Sequence, residues 1–167
     1  MDLLQKVTLM GATITMGIAA GVYLLYAFVI MPGLAKTDDR TFVGAFQQID
    51  KAIVGPFLLV FFVGPLALST LAAATHLGNG NRTTPVLIVG AVVLQLVMAG
   101  ITLSVNVPLN NDIKAAGNVN EIDDVAAVRT QFNEPRWVRW NSVRTMIAII
   151  AFGLLSWALV LAGGTWL

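Results

Sequence analysis

The sequence predicts an all-α fold, a polytopic membrane protein built as a four-transmembrane-helix bundle, and three observations predict it. Of 167 residues, 57% are hydrophobic and only 11% are charged, whereas soluble domains carry roughly 25% charged residues. The mean hydropathy is +0.80. Residues 7–35, 52–75, 83–111 and 145–167 contain no Asp, Glu, Lys or Arg, and each stretch exceeds the ~20 residues that cross a bilayer core. Lipid offers a backbone amide no partner, and none of the stretches alternates as a barrel strand does, so each is read as a helix. A single membrane domain spanning residues 1–167 is expected, with spans near 7–31, 52–75, 84–107 and 142–165.

Composition also removes whole classes of function. The chain has no cysteine and one histidine, His76, which excludes a disulfide framework, a thiolate nucleophile and an iron–sulfur centre, and leaves no set of His or Cys ligands for zinc or haem. No metal or other cofactor is expected. Ten basic residues oppose nine acidic ones without forming a basic tract, so no nucleic-acid partner is expected.

The first span is longer than the apolar region of a signal peptide and lacks a small-x-small cleavage site, so it is read as a mature helix. It carries Gly17 and Gly21, a spacing that lets a neighbouring helix approach closely. The second span contains Gly55-Pro56 and Gly64-Pro65 and should be kinked, because proline removes an amide donor and clashes with the preceding turn. Ahead of it Phe42, Phe46, Ile49 and Ile53 recur at helical spacing behind Asp38 and Asp39; the second helix is therefore expected to start before the membrane. Asp50 and Lys51 are read as its solvated end, and His76, just before Gly78-Asn79-Gly80, as exposed. Residues 118–135 are expected to form a short amphipathic helix between helices 3 and 4, capped by Asn120, with Ile122, Val125, Val128 and Phe132 on one face.

Four spans put both termini on one side. Lys6 and Arg82 lie on that side; Lys36, Arg40, Lys51, Lys114, Arg129, Arg136, Arg139 and Arg144 lie on the other, which favours a cytoplasmic position for the two larger loops. A plasma membrane of bacterial type is the expected location.

The polar residues that matter flank the loop between helices 3 and 4. Helix 3 closes on Asn106-Val-Pro108-Leu-Asn110-Asn111, where Asn106 and Asn110 share a face if the helix survives Pro108. Helix 4 opens with Trp137, Trp140, Asn141, Arg144 and Thr145, after which no charge appears. Residues spaced by three, four, seven and eight lie along one helical face, so aromatic rings, an amide and a guanidinium converge. Interfacial rings and a snorkelling arginine would account for this segment alone. A guanidinium and several amides facing one another on antiparallel neighbours at one membrane level read instead as a site. Gln95, Thr13, Tyr23 and Tyr26 add polar groups deeper in the bundle.

The segments Gly21-Val-Tyr-Leu, Met31-Pro-Gly-Leu, Val107-Pro-Leu-Asn-Asn111 and Trp137-x-x-x-Asn141-x-x-Arg144-Thr145 resemble those of the anthrone oxygenase-like family, much of it known only as a membrane domain without an assigned function. The resemblance covers most of the chain. It implies cofactor-independent oxidation of an anthrone, or a related polycyclic phenol with an activated methylene, by molecular oxygen. Arg144, Asn141, Asn110 and Asn106 are then the catalytic candidates, as donors to a developing oxyanion. Trp137, Trp140, Asn111 and Thr145 are the candidates for holding the substrate. No base stands out: His76 is on the wrong side and Asp112 is merely adjacent to the Asn run.

A different class stays open at this point, a non-catalytic ligand-binding or accessory subunit of a larger membrane assembly or homo-oligomer, taking a lipid or quinone-like ligand. A cavity between helices 3 and 4 favours catalysis or ligand binding, with a hydrophobic aromatic small molecule as partner, whereas an Arg144 wholly engaged by Asn106, Asn110 and backbone carbonyls favours a helix lock. A transporter fits less well, since no inverted repeat is present.

Overall fold

In the computed structural model, which describes residues 2–53, 55–77 and 82–163, the chain runs through six helical elements. They are α1 (Leu3–Leu34), α2 (Asp39–Ile53), α3 (Leu59–His76, entered through the turn Pro56–Leu58), α4 (Thr83–Ala115), α5 (Val125–Phe132) and α6 (Glu134–Gly163). The described residues contain no strand. Four apolar helical stretches are long enough to cross a membrane, α1, α3, α4 and the stretch that α5 and α6 form together. The chain is a multi-pass integral membrane protein.

Small side chains set the packing. Ala12, Ala19, Ala72, Ala91, Ala148, Ala151 and Ala158 are buried with Leu9, Met16, Ile88 and Leu155, and such residues let membrane helices approach closely enough for dispersion contacts to hold them. A Cβ added at Gly17 would stand 3.0 Å from the Phe152 ring, while one at Gly21 would meet nothing within 4 Å. Of the two glycines in the predicted contact motif, only Gly17 packs a neighbour. Larger apolar residues, among them Ile14, Leu96, Ile150 and Val160, stay on the outside, as lipid requires.

The membrane helices are not regular. In three of them a five-residue π-helical turn stands just before a proline: Tyr26–Ile30 ahead of Pro32, Leu59–Val63 ahead of Pro65, and Thr102–Asn106 ahead of Pro108. The cause is local. Each proline removes a donor, so a carbonyl four residues back loses its partner, and the residue before each proline reaches five residues back instead: Met31 to Tyr26, Gly64 to Leu59 and Val107 to Thr102. A π-turn widens the helix and re-aims the side chains beyond it. The kink expected at Gly64-Pro65 takes this form, and the helix does survive Pro108.

The segment before α3 departs from expectation. α2 does not run on into the membrane helix, because the backbone is extended at Gly55 (φ 170, ψ −155) ahead of Pro56. Freed from α3, α2 folds inward and buries Phe42, Val43, Phe46, Gln47 and Asp50. Its start is capped by Asp38, which accepts from the Thr41 amide (3.0 Å) and hydroxyl (2.7 Å); these bonds hold the Asp38 carboxyl below the usual carboxylate range. The Gln47 amide donates to the Ile113 and Gly117 carbonyls at 2.7 and 3.0 Å, tying α2 to the end of α4. The interhelical segment expected over 118–135 is a short 3₁₀ turn, Val119–Glu121, followed by α5. Its cap is Asp124, which accepts from the Ala127 amide at 2.9 Å, and not Asn120. An Asp is already a strong cap on its own, and it stands directly before the first helical residue.

His76 is buried, 3% exposed, with its Nδ1 2.7 Å from the Ala72 carbonyl. The expectation of an exposed residue is corrected by α1, whose Gln5 amide bonds the Thr75 carbonyl at 2.6 Å and so covers the end of α3. The turn expected at residues 78–80 and the last two residues of the predicted fourth span, 164 and 165, lie outside the described residues.

Candidate functional site

Each of the three π-turns contributes to the wall of one cavity of about 310 Å³ near the loop end of the bundle: Tyr26 from the first, Phe61 and Phe62 from the second, Thr102 and Leu103 from the third. A volume near 300 Å³ lies at the lower end of the range for small-molecule sites. The remaining walls come from α1, α2, α4 and α6, and include Tyr23, Phe46, Asp50, Asn110, Asn111, Lys114, Trp137, Asn141 and Arg144. Exposed Asn111 and partly exposed Lys114 mark its aqueous end.

Arg144 is 5% exposed and lies among rings and neutral polar groups. Its Nη1 donates to the Thr102 hydroxyl (3.1 Å) and its Nη2 to the Asn141 side-chain oxygen (3.0 Å). The guanidinium carbon sits 5.0 Å from the Tyr23 ring centroid and 5.7 Å from that of Trp137. Its Nε is buried without a partner, and among the described residues no carboxylate forms an ion pair with it. Burying a cation without a counter-charge is costly. Cation–π contacts offset part of that cost, and the geometry suits an anion arriving in the cavity.

A second set of polar contacts lines the same cavity. The Trp137 indole N–H donates to the Asn110 side-chain oxygen at 2.7 Å, and the Asn110 amide donates to Asp50 Oδ1, also at 2.7 Å. Lys114 Nζ stands 2.7 Å from Asp50 Oδ2 but off the hydrogen-bonding direction, so the lysine supplies charge more than a directed bond. Asp50 is 8% exposed. The expectation that it forms a solvated helix end is corrected: it lies in the cavity wall because α2 folds back over the bundle.

The signal for Asp50 was present in the sequence. Phe42, Phe46 and Asp50 succeed one another at intervals of four, so the carboxylate continues the apolar face of α2. Tyr23 and Tyr26 also belong to the wall, three residues apart on α1.

Five of the eight residues expected from sequence line the cavity: Arg144, Asn141, Asn110, Asn111 and Trp137. Three stand outside it. Asn106 is buried behind the wall, its amide donating to the Trp137 carbonyl at 3.3 Å while its side-chain oxygen has no partner. Thr145 donates to the Tyr23 carbonyl (3.2 Å) and the Asn141 carbonyl (2.8 Å) and so joins α6 to α1; the Asn141 amide reaches the same Tyr23 carbonyl at 3.4 Å. Trp140 is half-buried against a cluster of apolar residues from α2, α4 and α5. Of the two tryptophans, Trp137 meets the cavity, packed against Tyr26 (5.6 Å between centroids) and edge-on to Phe46 (5.7 Å).

No curated protein and no solved structure matches the chain. A sequence profile of the anthrone oxygenases matches residues 57–154, more than half of it. The matched span runs from the approach to α3 to the middle of α6 and contains Asn110, Trp137, Asn141 and Arg144, with Tyr23, Tyr26 and Asp50 ahead of it. By that match, and with four membrane helices enclosing an aromatic cavity around Arg144, the chain belongs to the anthrone oxygenase family.

Proposed function

We propose that this protein oxidises an anthrone-type polycyclic phenol with molecular oxygen, without a cofactor, inside the cavity around Arg144. One observation carries the reading: a buried guanidinium with an unpartnered Nε lines an aromatic-walled cavity that also holds a carboxylate. A phenolic substrate supplies what Arg144 lacks, since its phenolate or enolate oxygen accepts from the guanidinium while the fused rings lie against Tyr23, Tyr26, Phe46 and Trp137.

The chemistry follows from the groups present. Asp50 takes a proton from the activated methylene, leaving an anion whose charge spreads onto the ring oxygens beside Arg144 and Asn141. That electron-rich anion passes one electron to oxygen, and the radical pair combines to form a C–O bond. The terminal oxygen of the resulting peroxide anion takes up a proton, giving a hydroperoxide on the former methylene carbon. Loss of the second C–H proton breaks the O–O bond, leaving one oxygen atom as the new carbonyl and the other as water. The methylene supplies all four electrons, so no external reductant enters. Lys114 balances the Asp50 charge at the aqueous end, and Asn110 fixes the carboxylate from Trp137.

The competing helix-lock reading predicts an Arg144 engaged by Asn106, Asn110 and backbone carbonyls. Those amides instead serve Trp137 and Asp50. The test is oxygen uptake and quinone formation by the purified protein with a simple hydroxylated anthrone, corrected for autoxidation and repeated with a metal chelator. Turnover that survives the chelator is expected; a rate at the autoxidation background would remove the proposal and favour the binding role.

A further inference from the structure

A second cavity, of about 500 Å³, lies in the cleft between α3 and α4. Its walls include Val63, Leu66, Thr70, Gln95 and Met98, together with Phe62 and Leu103, which also line the first cavity. The two spaces are therefore neighbours with two lining side chains in common. Val63 (47% exposed) and Leu103 (63% exposed) belong to the outer surface of the bundle at membrane depth, so the cleft opens sideways to lipid and not to water. Both of the nearby π-turns contribute to its walls, Leu59–Val63 through Phe62 and Val63 and Thr102–Asn106 through Leu103.

Gln95 makes this cleft more than a gap for an acyl chain. Its side chain is 2% exposed, its amide nitrogen lies 3.0 Å from the Ser69 hydroxyl, and its other end, Oε1, is buried without a partner. A hydroxyl both donates and accepts, so turning the amide over would still leave one end unmet. An unsatisfied amide at membrane depth is unfavourable, and an acyl chain cannot satisfy it. A planar phenol can, since its hydroxyl donates or accepts and its rings match the apolar walls.

We infer that the α3–α4 cleft is a membrane-side access site where a hydroxylated polycyclic phenol binds through Gln95 before passing between Phe62 and Leu103 into the cavity around Arg144. The inference rests on the function proposed above. It also explains how a substrate that partitions into lipid reaches a cavity whose other end, at Asn111 and Lys114, faces the loops.

The chain has no cysteine, so a fluorophore placed through Thr70→Cys labels the protein at one position, in the wall of the cleft. The labelled protein in nanodiscs is titrated with 1,8-dihydroxyanthraquinone, a non-reacting probe of product-like shape. Saturable quenching is expected, weakened about fivefold in Gln95→Leu, as for loss of one hydrogen bond, and retained in Arg144→Ala. Quenching that rises linearly with membrane loading and is identical in Gln95→Leu would mean that lipid fills the cleft, and would overturn the inference.

In the turnover assay, Leu66→Trp, which fills the cleft and not the first cavity, should lower kcat/KM for bilayer-delivered anthrone about tenfold with a smaller change in kcat, the pattern of impeded access. An active wild type with normal kcat/KM in both Gln95→Leu and Leu66→Trp defeats the access site and spares the proposed function. An inactive wild type defeats the function and with it the passage to Arg144, leaving the quenching to decide whether the cleft binds phenols at all.

Discussion

Arg129 and Arg144 sit at the same end of the molecule and are provided for in opposite ways. Arg129, on α5, meets Asp39 and Glu134 at 3.0 Å each, bonds the Thr37 and Ala35 carbonyls, and lies over the Phe42 ring. Arg144, on α6 and more deeply buried, meets only a hydroxyl, an amide oxygen and two aromatic faces. Neutralised charge joins loop to helix and asks for nothing further. Charge held without a counter-ion is a standing demand for an anion, and at membrane depth that demand is the ground for the proposed site.

Substitutions test the contrast, beginning with the largest expected effect. Arg144→Ala should lower kcat/KM for a hydroxylated anthrone about 10²–10³-fold, the usual loss for one donor to a developing oxyanion, while the detergent melting temperature changes little or rises as an unpaired buried cation is removed. A large fall in melting temperature with activity per folded molecule preserved would make Arg144 a lock like Arg129 and cancel the distinction.

Asp50→Asn keeps the shape of the wall and the bond from Asn110 but removes the proton acceptor. A loss of about 10²-fold in kcat is expected. Single-turnover kinetics with a deuterated methylene check the assignment: the isotope effect should grow in the variant, and an unchanged kcat would eliminate Asp50 as the base.

Arg129→Met should do the reverse of Arg144→Ala. The pairs are partly exposed, so a cost of about 1–3 kcal/mol is expected, between the ranges for surface and buried ion pairs. It would appear as a lower melting temperature with near-normal kcat in the folded fraction. Arg82→Ala, at the far end of the bundle beside the start of α4, should have the smallest effect and shift neither quantity; an activity loss there would place the site at the wrong end of the molecule.

How much of this was legible beforehand differs between fold and site. Residues 83–111 carry no charge over a length that must cross the bilayer, and helical conformation follows from the lack of backbone partners in lipid. The helix-3 and helix-4 segments that hold Asn110, Trp137, Asn141 and Arg144 were legible for a related reason, because polar groups at the ends of apolar runs need a use. At Asp50 two patterns compete: it continues the Phe42–Phe46 face, but a charge beside Lys51 at the edge of an apolar run reads as solvated until the chain is seen to break at Gly55 and α2 to fold back. Trp137 and Trp140 flank the same face, and only packing against Tyr26 and Phe46 selects the first. Asn106 and Thr145 looked like site groups because sequence shows a polar atom but not the backbone carbonyl that engages it.

The sequence by itself determined four membrane helices, the end of the bundle at which polar groups gather, and the arginine whose place beside an apolar run has to be explained, since all three depend on the transfer cost of charge and backbone into lipid. Only the tertiary structure decided which polar groups share a cavity. That choice turns on three π-turns and a broken α2, small local adjustments whose side-chain directions are settled by contacts between helices distant in sequence, and no linear pattern records them.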